Sequence, residues 1–251
     1  MSNLTVLRSY AQKSNPASLP SSVLLSYTPK SLTIFDVYPK SIFHFLVLPR
    51  PVTPQLAVFD LASLRTLFKA DKIKAREVLT GLSEDAQTAK VTIQDEMMKR
   101  YGFKWGVWMG FHAVPSMEHV HVHVLSADLC SPAMKTKKHY NSFHPKHGFF
   151  LHLNDVLSWL DAEPSYYETM SELKKSQYEP LLKDDLVCWR CGHVFKNMPT
   201  LKTHLQEEWD KEAKTERAKL ERKRKREEST ADSVQQGEPK RHETDVQKDP
   251  S

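Results

Sequence analysis

Residues 119–125, HVHVHVL, are the part of the chain best suited to chemistry. Side chains in an extended strand alternate between two faces, so the three histidines are predicted on one face and the valines on the other. Three imidazoles in a purely structural role would need several buried partners, which favours a functional site. Two chemistries fit the pattern: attack on a phosphate by a neutral imidazole, or metal binding through the ring nitrogens.

The residues around this run favour a phosphate over a catalytic metal. Ser116, Lys137, Lys138 and His139 carry hydroxyl and cationic groups, which suit an anion. A catalytic metal site would be expected to add carboxylates or further ligands. An imidazole can attack phosphorus directly and form a phosphoramidate that water then cleaves. We therefore expect a nucleophilic histidine and no catalytic metal.

A second group of residues has the spacing of a zinc site. Cys188 and Cys191 form a CxxC, twelve residues separate Cys191 from His204, and Glu208 follows four positions later. Glu208 is predicted on the same helix face as His204 and can bind zinc through oxygen, whereas His193 in the turn is the competing fourth ligand. The spacing predicts one structural Zn²⁺; the alternative is a surface turn with two free thiols.

The elements that must position these residues are those of an α+β domain. Residues 23–49 alternate like strands and are divided by Pro29, Pro39 and Pro49, which predicts an antiparallel meander. Residues 61–100 lack proline and have apolar residues near helical spacing, so one long helix is expected to cover one face of the sheet. The runs 105–111 and 119–125 are predicted to pair as central strands.

A length of 251 residues favours a catalytic domain with a smaller appended module. The tail is polar and rich in Ser, Gln, Glu and Lys, which is typical of disorder. We predict six segments: an N-terminal helical wedge or loop (1–22), the catalytic domain (23–160), a connector (161–184), a zinc finger (185–210), a basic helix (211–228) and a disordered tail (229–251).

Charge and apolar content indicate the cellular compartment in which the protein is expected. The net charge of +5 is concentrated in residues 211–226, and such a run contacts nucleic acid, serves as a nuclear address or forms a solvated helix. Residues 239–241, PKR, are a second basic signal. We find no run of about 18 apolar residues that could cross a bilayer, and no secretion signal at the N-terminus. In a reducing compartment the CxxC indicates a metal site before a disulfide.

HVHVHVL is the signature of the histidine triad family, and its context resembles the aprataxin branch of that family. The resemblance extends from about residue 23 to Trp209. A forkhead-associated domain, as in human-type aprataxins, has no counterpart in it, so a fungal-type member is expected. The matching pieces are residues 36–40 (DVYPK), 44–49 (HFLVLP), 110–117 (GFHAVPSM) and 131–143 (SPAMKTKKHYNSF).

The resemblance implies a histidine triad fold, an antiparallel sheet with a long helix, followed by a small C2HE-type zinc finger. It implies the removal of AMP from 5'-adenylated DNA ends, with His121 as nucleophile, His112 at the leaving 5'-phosphate, and His123 as a donor to the adenylate. An N-terminal wedge of Leu4, Leu7 and Tyr10 is implied as well. The implied substrate-binding residues are Asp36 at the ribose, Lys40 and His44 in the same pocket, and Ser116 and Lys138 at the phosphate.

Three functional hypotheses follow. The first is a nuclear DNA-repair hydrolase, monomeric and active on adenylated nicks and on 3'-guanylated ends, with the cytoplasm as a further location and repair proteins as further partners. The second is a general histidine triad hydrolase of small nucleotide phosphoramidates or dinucleoside polyphosphates. The third is a zinc-finger adaptor with an inert histidine strand. The predicted finger and the basic residues around it favour the first hypothesis, because a hydrolase of small nucleotides needs no DNA-binding surface.

Overall fold

Six antiparallel strands form the main sheet of the structure, a computed structural model that describes residues 3–51 and 57–235. Their order across the sheet is β1-β2-β3-β5-β4-β6. A separate pair of short strands, β7 and β8, forms a hairpin. The strands are β1 (Leu24–Tyr27), β2 (Ser31–Phe35), β3 (His44–Pro49), β4 (Val107–His112), β5 (Val122–Ser126), β6 (Phe150–His152), β7 (Leu186–Val187) and β8 (Val194–Phe195).

Eight α-helices surround or follow the sheet in the described part of the chain. None of them combines the length and apolarity needed to cross a membrane. The helices are α1 (Val6–Ala11), α2 (Leu64–Ala70), α3 (Lys72–Tyr101), α4 (Lys137–Phe143), α5 (Leu153–Trp159), α6 (Pro164–Ser171), α7 (Lys175–Tyr178) and α8 (Met198–Gln235).

The sheet confirms the predicted meander and the predicted pairing of two central strands. Strands β1, β2 and β3 pair in sequence as an antiparallel meander. Strand β5 lies between β3 and β4, so the histidine run enters the middle of the sheet. Gly110 allows the close approach of β6 to β4, because a Cβ atom there would lie 2.3 Å from the carbonyl oxygen of Leu151. This approach lets β6 pair with the end of β4 that carries His112.

The predicted long helix is present as α3, but it does not begin at residue 61. Ser63 caps the shorter helix α2 through a capping box with Thr66. Asp71 then adopts an extended conformation, and its carboxylate accepts from the N–H groups of Ile73 and Lys74 at the start of α3. The N-caps at Ser63 and Asp71 therefore divide the predicted helix into α2 and α3. The buried residues of α3 are Ala75, Leu79, Leu82, Ala86, Ala89, Ile93 and Met97.

The finger segment and the sheet share one apolar core. The chain divides into two units after Trp209, so residues 185–209 belong with the sheet. Leu125 and Tyr140 are buried in the same cluster as Cys188 and Leu201. Sheet and finger are therefore packed together, although the predicted boundaries of the six segments remain predictions.

The two ends of the chain differ from the predictions in part. Leu7 is 2 % exposed and packs against β2 and β3, so it cannot stack on a base pair, and of the three predicted wedge residues Leu4 is the exposed one. Helix α8 continues past residue 229, the predicted start of the disordered tail, as far as Gln235. Residues 236–251, including the PKR signal, lie outside the described part of the chain.

Candidate active site and metal centre

Four histidines converge where β3, β4 and β5 lie side by side. His123 lies in β5 opposite Gly110 of β4 and Leu46 of β3. Its ring centroid is 4.8 Å from that of His121, 4.4 Å from that of His112 and 5.2 Å from that of His44. The sheet therefore brings together His121, His123, His112 and His44, which are separated by up to 79 positions in sequence.

His121 is held in the tautomer that a nucleophile requires. Its Nδ1 lies 2.7 Å from the carbonyl oxygen of His119, which can only accept, so Nδ1 carries the proton and donates it. The lone pair is therefore on Nε2. Burial lowers the pKa of His121, although the His119 carbonyl and the charge of Asp36 act in the opposite direction. The ring is neutral at pH 7, as direct attack on phosphorus demands.

A chain of hydrogen bonds assigns the tautomers of His44 and His123. The backbone N–H of Lys40 donates to Nδ1 of His44 over 3.2 Å, so the proton of the neutral His44 ring is on Nε2. That nitrogen lies 3.0 Å from Nδ1 of His123, which must accept. The proton of His123 is therefore on Nε2, a buried atom without a hydrogen-bond partner among the described residues. His123 is thus a donor available to a ligand.

Burial keeps the hydrogen-bonded rings of His44 and His123 neutral. It lowers the pKa of His44 to about 4, against the opposing effect of Asp36, whose carboxylate oxygen is 3.5 Å from Nδ1 of His44. Burial also holds the pKa of His123 well below its usual range, and neighbouring histidines and Lys40 add to the effect. Neutral rings with defined tautomers provide directed donors and acceptors.

His112 lies at the other side of His123. Its ring contacts the rings of Phe143 and Phe149 at centroid distances of 4.5 and 5.4 Å. Its Nε2 atom is buried and has no hydrogen-bond partner within the described ranges. Burial and the neighbouring histidines hold its pKa well below the usual range, while a hydrogen bond to the Ser142 backbone opposes them. An anion next to this ring would favour its protonation.

The predicted alternation of three imidazoles on one strand face is wrong at His119. Strand β5 begins only at Val122, and His119 has a φ of 97°, which interrupts the extended backbone. The Nε2 atom of His119 donates to the carbonyl of Pro49 over 2.7 Å, away from the ring cluster. The sequence pattern did not reveal that the His119 carbonyl orients His121. Alternation assumes a regular strand, and this turn violates that assumption.

The predicted substrate-binding residues are placed differently from one another. Asp36 and Lys40 lie in the loop between β2 and β3, beside His44, and burial lowers the pKa of Lys40 while Asp36 opposes this. Lys138 lies in the first turn of α4. Burial lowers the pKa of the neighbouring His139, and the charges of Lys40, Lys138 and Lys135 act in the same direction. Ser116 lies exposed in the loop between β4 and β5, and its contact with phosphate remains a prediction.

Cys188, Cys191 and His204 form the candidate metal centre. Their ligand atoms all lie within 4.8 Å of one another, and Sγ of Cys191 is 3.3 Å from Nε2 of His204. Cys188 and Gly192 form the knuckle, in which Gly192 N–H donates to the Cys188 carbonyl and the φ of Gly192 is 77°. Two thiolates and one imidazole are the soft and borderline ligands that Zn²⁺ prefers, so the residues fit the metal. The fourth ligand, Glu208, remains a prediction.

Asp36, His44 and His123 also have ligand atoms within 4.8 Å of one another. Both ring nitrogens of His44 are already engaged, one with the Lys40 N–H and the other with His123. A metal there would have to break one of these hydrogen bonds. The geometry of the histidine cluster therefore favours an anionic ligand over a cation.

Comparisons with known proteins bear on the fold, on the finger and on the family of the chain. Residues 6–139 match the family model described as "Scavenger mRNA decapping enzyme C-term binding", and residues 146–211 match a "C2HE / C2H2 / C2HC zinc-binding finger". The chain is 30% identical over 211 residues to an aprataxin-like protein of Saccharomyces cerevisiae, covering 78% of this chain and 92% of that protein. The chain belongs to the aprataxin family.

Other aprataxins extend the comparison. Aprataxin of Gallus gallus is 32% identical over 182 residues, which cover 72% of this chain and 49% of the chicken protein. The chain thus spans about half of that relative, and 24% of an aprataxin-like protein of Drosophila melanogaster. The crystal structure of the aprataxin ortholog Hnt3 in complex with DNA superposes with a TM-score of 0.60 at 29% identity, covering 82% of this chain and 94% of that chain. The histidine triad fold and the finger are confirmed by these matches.

Proposed function

We propose that this aprataxin is a DNA-repair hydrolase that removes AMP from 5'-adenylated DNA ends and leaves a 5'-phosphate. The observation that carries the proposal is the orientation of His121, whose Nδ1–H is bound by the His119 carbonyl so that Nε2 presents its lone pair. The buried Nε2 atoms of His112 and His123 lie beside it as groups for an anion. The DNA in the Hnt3 structure supports DNA as the substrate.

In the first step Nε2 of His121 attacks the phosphorus of the adenylate. The N–P bond forms while the P–O bond to the 5'-phosphate of the DNA breaks, and a covalent histidine–AMP intermediate results. The Nε2–H group of His123 donates to a non-bridging oxygen of the adenylate and stabilises its charge. His112, protonated when the polyanionic substrate raises its pKa, donates its proton to the leaving phosphate oxygen.

In the second step water attacks the phosphoramidate. An O–P bond forms, the N–P bond to His121 breaks, and His112 accepts the proton of the water molecule. In this proposal Asp36 accepts hydrogen bonds from the ribose hydroxyls, while Lys40, Lys138 and Ser116 bind phosphate oxygens. AMP leaves, and His112 releases its proton to solvent as the anionic products depart, which restores the neutral histidines. The same two steps would remove GMP from a 3'-guanylated end.

The remaining features of the proposal concern the finger and the cell. The structural zinc, held by the two cysteines, His204 and Glu208, maintains the finger fold, and basic residues in the finger and in residues 211–226 bind the phosphate backbone of DNA. We infer a nuclear, monomeric protein with DNA and repair proteins as partners. Removing residues 211–251 from a fluorescent fusion is expected to abolish nuclear accumulation.

The test of the proposed activity is release of AMP from a nicked duplex with a 5'-adenylate. Wild-type protein is expected to release AMP, also in EDTA under conditions in which the protein keeps its zinc. His121→Ala is expected to release none and to form no covalent adenylate. His152→Ala is the matched control, because that ring bonds the Pro145 carbonyl outside the ring cluster.

Two outcomes would contradict the proposal. Wild-type protein that cleaves small adenosine phosphoramidates but leaves the adenylated nick intact is a general histidine triad hydrolase. Wild-type protein that is folded and loaded with zinc but cleaves neither substrate is an adaptor. Trapping the adenylate on His121 by denaturation at alkaline pH, where the phosphoramidate is stable, followed by mass spectrometry of the peptide, distinguishes nucleophilic catalysis from activation of water.

A further inference from the structure

Helix α4 lies between the metal centre and the catalytic histidines. Its seven residues contact the finger through the middle of the helix and the histidine cluster through the C-terminal end. Tyr140, in the middle of α4, has an exposure of 0% and belongs to the apolar cluster that also contains Cys188 and Leu125 of β5. A close-packed core transmits displacement, so a shift of the finger is felt by α4.

The hydroxyl of Tyr140 is bound to the backbone on both sides of the proposed zinc ligand Cys188. It donates to the carbonyl of Val187 over 2.9 Å and accepts from the N–H of Trp189 over 3.0 Å. Asn141 adds a hydrogen bond of 2.8 Å from its amide to the Asp184 carbonyl, just before the finger. These bonds define the position of α4 relative to the segment that enters the knuckle.

The other end of α4 contacts the catalytic cluster. The ring of Phe143 meets the rings of His112, His123 and His44 edge to face, at centroid distances of 4.5, 5.0 and 5.3 Å. A hydrogen bond with the backbone of Ser142 opposes the lowering of the His112 pKa by burial. A displacement of α4 would therefore alter the packing and the hydrogen bonding of the rings that act on the phosphate.

We propose that Tyr140 is a positioning residue that couples the zinc-bound knuckle to the catalytic histidines through α4. The inference rests on the proposed function for its kinetic consequence, because Lys138, in the first turn of the same helix, is the proposed phosphate ligand. The finger then has a second role beside DNA contact: it sets the geometry of the active site. Bound zinc would order the knuckle and would thereby hold α4 in place beside the histidines.

The test compares Tyr140→Phe with wild-type protein and with Tyr167→Phe. Tyr167 is the matched control, because its hydroxyl makes one hydrogen bond, of 3.1 Å, to the Phe68 carbonyl between α6 and α2. The readouts are zinc content, the imidazole NMR resonances of His112 and His123, binding of an adenylated nick, and the single-turnover rate of AMP release.

Tyr140→Phe is expected to retain zinc and DNA affinity, to shift the resonances of His112 and His123, and to release AMP about tenfold more slowly, since small misplacements of catalytic groups are costly. Tyr167→Phe is expected to match wild type in all four readouts. Unchanged imidazole resonances and an unchanged rate in folded Tyr140→Phe would overturn the inference, because a residue that only stabilises the fold would give that result.

Zinc withdrawal from the wild-type chain is the second measurement, and it also decides the question if Tyr140→Phe fails to fold. Stripping the metal with a strong chelator is expected to shift the resonances of His112 and His123, and adding Zn²⁺ back is expected to restore them. Resonances that stay in place after complete loss of zinc would overturn the inference. Wild-type protein that shows this response but releases no AMP would instead refute the proposed function.

Discussion

Mild acid is expected to destabilise the protein because the folded state buries several histidines in their neutral form. Burial lowers the pKa of both His44 and His119 from 6.5 to about 4. Between these values the unfolded chain binds more protons than the folded one, so the free energy of unfolding falls as the pH is lowered. From pH 7 to pH 5 each group contributes a loss of about 2 kcal/mol, or about 4 kcal/mol together. Burial also lowers the pKa values of His112, His121 and His123.

A loss of this size is a large part of the stability of a typical domain, about 5–15 kcal/mol. Urea unfolding followed by circular dichroism at pH 7, 6 and 5 measures it, with zinc content checked at each pH so that metal loss is not mistaken for histidine titration. His119→Gln isolates one group, since glutamine can still donate to the Pro49 carbonyl but does not titrate.

In His119→Gln the decrease between pH 7 and pH 5 should be smaller by about 2 kcal/mol, whatever the stability of the variant at pH 7. A wild-type decrease of less than about 1 kcal/mol over this range would refute the reasoning, because it would mean that these rings are charged in the folded protein. An unchanged pH dependence in His119→Gln would refute the contribution of that ring.

Three further predictions concern single contacts. His44→Phe removes the donor that sets the tautomer of His123, so single-turnover AMP release should fall about 10²-fold, and a rate within threefold of wild type would contradict the tautomer chain. Gly110→Ala places a Cβ atom 2.3 Å from the Leu151 carbonyl oxygen, and urea unfolding should show a loss of about 1–3 kcal/mol; an unchanged midpoint would argue against the close approach of β4 and β6. Asp128→Ala leaves two backbone N–H groups, a hydroxyl and an indole without their buried acceptor. It should cost about 3 kcal/mol in the same assay, and full stability would show that water replaces the carboxylate.

Several features of this protein could be predicted from local patterns. The alternation of histidine and valine from His119 onward predicted three imidazoles on one strand face, and the structure brings two of them, His121 and His123, together with ring centroids 4.8 Å apart. The spacing of Cys188, Cys191 and His204 predicted a cluster that the structure confirms. These predictions succeed because the repeat of a strand and the reach of a knuckle and helix are local properties, set by residues near one another in the chain.

What the sequence by itself determined was therefore which side chains are available for chemistry: imidazoles in the histidine run, and thiolates with an imidazole at the spacing of metal ligands. Only the tertiary structure decided which ring nitrogens carry the protons. The tautomer of His123 depends on His44, 79 positions away, and that of His121 depends on a positive φ at His119 that no alternation indicates. The link from Tyr140 to the knuckle likewise joins segments that are distant in sequence. Hydrogen bonds and packing between distant segments form only when the chain folds, so they cannot be predicted from local sequence patterns.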